Sequence, residues 1–280
     1  MENLLITTPH SSTYVPQELL LRFALTQRQI WEGSDPGTKE TADLAVGNDT
    51  NLVLASPVNR MVVDLNRNAD DLSPIGVCRV KDFKQRLIYK EGQGLTPEEK
   101  AKYIEQFHKT WHEEFLKRLN RSLHLHIDFH NTDELNREKN AYFPGERVRM
   151  LDYTDFDISN RSELLKPDIA VDNNGLTFPS GEISGVIDSI RTHMGDFFET
   201  VLKQDRGTLR VTASGYWRGG PNIQKARDNT NWHQGTPRSL QFELHRRFFI
   251  NEAGKNDMTK ITGLSAVLQK VIDDILRNTI

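Results

Sequence analysis

The stretch HLHIDFHNTDE, residues 124–134, narrows the choice of fold more than any other in this chain. His124, His126, Asp128 and His130 fall on one side of a period-two pattern, while Leu123, Leu125, Ile127 and Phe129 fall on the other. The alternation reads as a β-strand with one apolar and one wet face, on which His124 and His126 are solvated or hydrogen-bonded. His130 differs from them. The apolar alternation stops there and a polar HNTD segment begins, which marks the carboxyl end of the strand, where open α/β sheets keep their ligand sites.

Further strand-like runs lie at residues 4–7, 51–56, 61–64, 209–213 and 239–244. Helical patterns separate several of them. The clearest starts at TPEEK: Thr96 is an N-cap, Pro97 suits the first helical position, and Glu99 completes a capping box. From there Ile104, Phe107, Trp111, Phe115 and Leu119 recur at spacings of three and four, the stripe of a helix packed against a sheet. Similar stripes run from Ile183 to Leu202 and from Leu264 to Leu276. Strands alternating with helices predict an α/β fold with three layers, α/β/α, around a central mixed, mostly parallel sheet. There is no internal repeat, low-complexity tract or clear linker, and residues 145–160 read as an ordered excursion, so residues 1–280 are expected to form a single domain.

Charge and cysteine content exclude several functions. A formal net charge of −3 with scattered basic residues offers no basic field for nucleic acid. Cys78 is the only cysteine, which rules out an intrachain disulfide framework, a Cys-rich zinc site and a CxxC redox motif; it reads as a small hydrophobe. The apolar run in MENLLITTPH is too short for a signal peptide, and nowhere do 18 apolar residues run uninterrupted. These features predict a cytoplasmic protein with no membrane partner.

Four segments could carry chemistry. In TTPHSSTYVP, residues 7–16, His10 sits just past a strand end; in EGSDPGT, residues 32–38, Asp35 lies in a Pro-Gly turn of the kind that aspartate also favours for purely local reasons. His10, Asp35 and His130 together would make a two-histidine, one-carboxylate set of zinc ligands with room for a water. In VNRMVVDLNR, residues 58–67, Arg60 and Arg67 flank an apolar strand, and a guanidinium suits both a carboxylate and a developing oxyanion. In SLQFELHRRFF, residues 239–249, Glu243 stands between Phe242 and Leu244; desolvation in a covered sheet would raise its pKa toward that of a general base. His108 and His112 have the i, i+4 spacing of a helical metal pair but adjoin the apolar stripe. HExxH, GxSxG, Walker A and GxGxxG sequences are all absent, which removes the commonest zinc peptidase, serine hydrolase and nucleotide-binding readings.

In order and approximate spacing, PHSSTYVP, SDPGT, NRMVVDLNR, FHKTWH, DFHNTD, YWRGG and LQFELH resemble the N-formylglutamate amidohydrolase family over most of the chain. DLNR and DFHNT are also similar to motifs of aspartoacylases and succinylglutamate desuccinylases, relatives within the zinc carboxypeptidase fold. Those relatives carry His and Glu three residues apart in the first ligand loop, whereas here His10 is followed by Ser-Ser-Thr. The resemblance implies zinc on His10, Asp35 and His130 and Glu243 as general base. It implies that Arg60 polarises the scissile carbonyl, that Asn66 and Arg67 grip the substrate α-carboxylate, and that Arg218 in YWRGG meets a second anionic group. His112 is the family's histidine in the FHKTWH motif and a candidate for substrate contact. Pro36 stands where the family more often has an aromatic residue, and three extra residues before Leu44 leave Glu40 or Asp43 as alternatives to Asp35. The implied substrate is a small acyl amino acid, foremost N-formyl-L-glutamate. Another acyl amino acid, a peptide terminus, or a non-catalytic binding role in the same fold are the alternatives.

Overall fold

The computed structural model describes residues 3–119, 123–132, 169–172, 182–206, 211–213, 221–227 and 238–277. Their strands are β1 (Leu4–Thr8), β2 (Val53–Ala55), β3 (Leu125–Thr132), β4 (Ile169–Asp172), β5 (Val211–Ala213) and β6 (Ser239–His245). They form one sheet in the order β2-β1-β3-β6-β4-β5. The first four of these run parallel, β4 is antiparallel to β6, and β5 is parallel to β4. This is the mixed, mostly parallel sheet that the sequence predicts.

Helices cover both faces. They are α1 (Gln17–Leu20), α2 (Gln27–Glu32), α3 (Thr38–Ala45), α4 (Pro97–Tyr103), α5 (Thr110–Leu119), α6 (Ile183–Phe197), α7 (Pro221–Arg227) and α8 (Met258–Arg277). Along β1 the side chains alternate between two cores. Leu4 and Ile6 join the core under α3, α6 and α8, and Leu5 joins the one under α2 and α5. That alternation places a hydrophobic layer on each side of the sheet and completes an α/β/α sandwich.

The Thr96 capping box is present: the Thr96 side chain accepts from the Glu99 backbone, and the Glu99 side chain accepts from Thr96 N–H. A π-helical turn, Ile104–Lys109, joins α4 to α5. The predicted stripe of Phe107, Trp111, Phe115 and Leu119 is buried.

Two sequence expectations need correction. Residues 61–64 do not form a strand but a buried turn, because Asn59 satisfies the backbone locally: its side-chain oxygen accepts Met61 N–H at 2.9 Å and its carbonyl accepts Val62 N–H at 2.9 Å. The apolar run there fills the core rather than a sheet. Nor is the polar face of β3 wet. His126 is fully buried, its Nε2 donating to Thr7 Oγ1 at 3.0 Å and its Nδ1 accepting from Ser239 Oγ at 2.7 Å. A strand hydrogen-bonded on both edges and covered on both faces has no wet side, so its polar groups must pair with one another. Burial holds the His126 pKa down at about 4.

Strand order also determines where ligands go. β1 lies between β2 and β3, so the strand order reverses there, and in open α/β sheets the carboxyl ends of the strands at such a reversal are where ligand sites lie.

Candidate metal centre

His10 lies two residues past the end of β1, in a turn closed by Ser11, whose Oγ donates to Thr8 O at 3.0 Å. Its carbonyl accepts Asp35 N–H at 2.8 Å, which ties the Ser34–Gly37 turn to the β1 exit. Gly37 caps α3 at φ 82°, a left-handed conformation that a side chain resists, and a Cβ there would lie 2.8 Å from the Phe249 ring. Thr38 Oγ1 donates to the Asp35 carbonyl at 2.7 Å. The Asp35 carboxylate thereby faces the sheet. His130 reaches the same point from β3, two residues before the strand ends at Thr132.

The three side chains converge. His10 Nδ1 is 3.1 Å from His130 Nδ1, and Asp35 Oδ2 lies 3.1 Å from His130 Nδ1 and 3.5 Å from His10 Nδ1. With zinc–nitrogen and zinc–oxygen bonds of about 2.0–2.1 Å, neighbouring ligand atoms on a tetrahedron stand about 3.3 Å apart. The donor set therefore fits zinc in both chemistry and spacing. All three residues are buried. Glu40 and Asp43 point elsewhere: exposed Glu40 accepts from Asn256 Nδ2 at 3.4 Å, and Asp43 pairs with Lys39.

A carboxylate backs each imidazole. His10 Nε2 donates to Asp64 Oδ1 at 2.8 Å and His130 Nε2 to Asp128 Oδ2 at 3.1 Å, the pairing that orients metal-binding histidines and directs their other nitrogen inward. Burial works against charge on all these groups, but the pairings outweigh it for the acids. Asp35, paired with His10 and His130, and Asp64, paired with Arg60, His10 and Arg79, are held well below the usual carboxylate range. The histidines diverge: burial and Arg60 lower His10, whereas Asp128 and Glu243 overcome burial and raise His130.

Glu243 stands beside this cluster because β6 pairs in parallel with β3, placing it in register with His130 on the same face of the sheet. Gln241 Nε2 donates to Glu243 Oε1 at 2.7 Å. Burial pushes the Glu243 pKa up to about 7, even though His130 opposes the shift, while the side chain keeps partial access to solvent. A carboxylate that is half protonated near neutral pH can both take and return a proton.

The 60–67 segment lines another side. Arg60 NH2 donates to Asp64 Oδ2 at 3.1 Å, its NH1 is 3.8 Å from Asp35 Oδ1, and its Nε is buried with no partner among the described residues. Asn66 Nδ2 approaches His130 Nε2 at 3.5 Å, and half-buried Arg67 donates to Asn66 O at 2.9 Å. His112 touches backbone: its Nε2 donates to Leu65 O at 3.1 Å, just as His108 Nε2 donates to Arg67 O at 2.9 Å. The i, i+4 histidine pair thus supports the segment that carries Asn66 and Arg67. Lys225 Nζ donates to His112 Nδ1 at 3.2 Å, and burial together with that charge holds the His112 pKa down at about 3. Arg218 lies outside the described residues.

Sequence reasoning missed the groups behind the ligands. Asp64 could have been noticed as a carboxylate between Val63 and Leu65, like Glu243 in its own strand. Arg79, which grips Asp64, sits in GVCRV with no pattern to mark it. Burial pulls its pKa to about 10, which leaves it charged at neutral pH.

Among solved structures, the chain is similar to N-formylglutamate amidohydrolase from Ralstonia eutropha JMP134, with 15% identity, a TM-score of 0.67, and coverage of 99% of this chain and 95% of that one. It is also similar to a gene product of Agrobacterium tumefaciens, with 14% identity, a TM-score of 0.61, and coverage of 99% and 91%. At these identities the likeness speaks for the fold. No match is found among curated proteins. The sequence profile for N-formylglutamate amidohydrolase matches residues 2–170, more than half of the chain and the part that carries His10, Asp35, Arg60, Asn66, Arg67 and His130, and the chain belongs to that family.

Proposed function

We infer that this amidohydrolase uses zinc to hydrolyse the amide bond of an N-acyl amino acid, and that N-formyl-L-glutamate, giving formate and L-glutamate, is its substrate. The observation that carries this reading is the buried triangle of His10 Nδ1, Asp35 Oδ2 and His130 Nδ1, with spacings of 3.1–3.5 Å, beside a carboxylate whose pKa is about 7. When bound there, zinc supplies a water acidified toward neutral pH and a Lewis acid for the carbonyl.

The chain's own groups account for the rest. Glu243 takes a proton from the attacking water and delivers it to the amide nitrogen as the carbon–nitrogen bond breaks, so the amine leaves neutral and the water oxygen stays on the acyl carbon. Arg60, with donors to spare, gives an N–H to the carbonyl oxygen as charge develops on it. Asn66 and Arg67 hold the α-carboxylate. A formyl group offers almost no surface, so selectivity has to come from the amine side, where Arg218 is the candidate for the second carboxylate.

Two measurements test the reading. Purified protein should carry about one zinc per chain, and His130→Ala should lose most of it while staying folded. In a panel of formylglutamate, acetylaspartate and succinylglutamate, formylglutamate should be hydrolysed fastest; full zinc retention by the variant, or preference for another acyl group, would refute the corresponding part.

A further inference from the structure

The two oxygens of Asp64 have separate partners. Oδ1 accepts from His10 Nε2 at 2.8 Å and from Asn66 N–H at 3.0 Å, on the side of the metal ligands. Oδ2 accepts from Arg79 Nε at 3.0 Å, Arg79 NH2 at 2.6 Å and Arg60 NH2 at 3.1 Å, on the opposite side. One aromatic ring backs both guanidinium groups: Phe83 has its centroid 4.3 Å from Arg60 Cζ and 4.4 Å from Arg79 Cζ. Arg79 is 1% exposed and commits two N–H groups to one carboxylate oxygen. Arg60 is bound to that oxygen by one N–H alone, and its buried Nε is unused among the described residues.

We propose that Arg79 is a positioning residue of the metal centre, which fixes Asp64 against His10 and, with Phe83 backing Arg60, keeps Arg60 free for the scissile carbonyl. This rests on the zinc amidohydrolase reading above. The physical argument concerns competition for one oxygen. A buried carboxylate oxygen attracts whichever guanidinium can reach it, and a planar fork is the geometry that satisfies it most fully. Arg79 occupies that place from behind. Without it, Arg60 would turn its own fork onto Oδ2 and be withdrawn from substrate, and Asp64 would be free to rotate away from His10. The ring of Phe83, 37% exposed, limits the swing of Arg60 from the solvent side.

The alternative is that Arg79 only neutralises a buried acid, and Arg79→Lys separates the two, because lysine keeps the charge and loses the fork. Zinc affinity is measured by competition with a chelator, and kcat and KM on formylglutamate, for wild type, Arg79→Lys and Phe83→Ala, with circular dichroism to check folding. In Arg79→Lys, zinc affinity should fall about tenfold, the low end for a group that acts through another side chain, and kcat should fall with KM nearly unchanged. Phe83→Ala removes a partly exposed ring and should lower kcat while leaving zinc affinity intact. A wild-type protein that does not bind zinc would overturn the underlying reading before Arg79 enters. A zinc-binding wild type alongside a folded Arg79→Lys with equal affinity and turnover would overturn the positioning role alone, as would a Phe83→Ala protein with unchanged kcat if the lysine variant does not fold.

Discussion

In the mechanism proposed above Glu243 is where the chemistry concentrates, since one carboxylate would serve two proton transfers. Glutamine keeps its shape and its bond to Gln241, so Glu243→Gln should leave fold and zinc content intact while reducing turnover by roughly 10²–10⁴-fold. A zinc-replete variant with near wild-type rates would end the proposed role. Arg60 and Arg67 separate by a different logic. Arg67 is assigned to a carboxylate present in ground and transition states alike, so Arg67→Ala should chiefly raise KM; Arg60 is assigned to charge that exists only in the transition state, so Arg60→Ala should chiefly lower kcat. Steady-state kinetics on both variants decides between them, and a purely KM effect in each would show the division of roles to be wrong.

The turn leading into α3 shows how an element's start can position a candidate ligand. Gly37 adopts φ 82° against Phe249, and Asp35 two residues earlier owes its direction to that turn. Gly37→Ala should cost on the order of 1–2 kcal/mol for the left-handed conformation, with the contact to Phe249 adding to it. Urea unfolding should show that loss, and zinc occupancy should drop although no ligand has been changed. The α4 start is the contrasting case. Its capping box was legible from TPEEK because all its partners lie within four residues. The Asp35 turn was legible as a turn and its carboxylate as a candidate ligand, but Glu40 and Asp43 stayed open beside it, since the carboxylate meets groups from remote strands.

Across the whole molecule, covering both faces of the sheet has a pH consequence. His126 has a pKa of about 4 when folded, against 6.5 for an unburied histidine, because burial penalises its charge. Below pH 6.5 the unfolded chain therefore binds a proton that the folded chain refuses. Stability is fully present above that value and falls by about 1.4 kcal/mol per unit until the pH nears 4, where the folded residue also titrates; the total is on the order of 3 kcal/mol from this residue. Denaturant midpoints measured from pH 7 to 4.5 should drop accordingly, and His126→Gln should flatten that dependence. An unchanged slope in the variant would locate the acid sensitivity elsewhere.

Sequence by itself determined the local features of this protein: the alternation of β3, the cap and stripe of the α4–α5 segment, the apolar character of the strands, and the candidates His10, Asp35, His130 and Glu243. Each follows from neighbours within a few residues, where periodicity and turn chemistry operate. It misread residues 61–64 as a strand because an apolar run looks the same whether it fills a core turn or a sheet, and the side chain of Asn59 decides which. Only the tertiary structure could place Asp35, rather than Glu40 or Asp43, against His10 and His130, bury His126, and bring Arg79 to Asp64. The first two depend on β1, β3 and β6 lying side by side, which brings residues more than a hundred positions apart within hydrogen-bonding distance, whereas Arg79 meets Asp64 through the packing of the segment between β2 and α4. Strand order and the desolvation that follows from it belong to the packed whole, so no short stretch of the chain carries them.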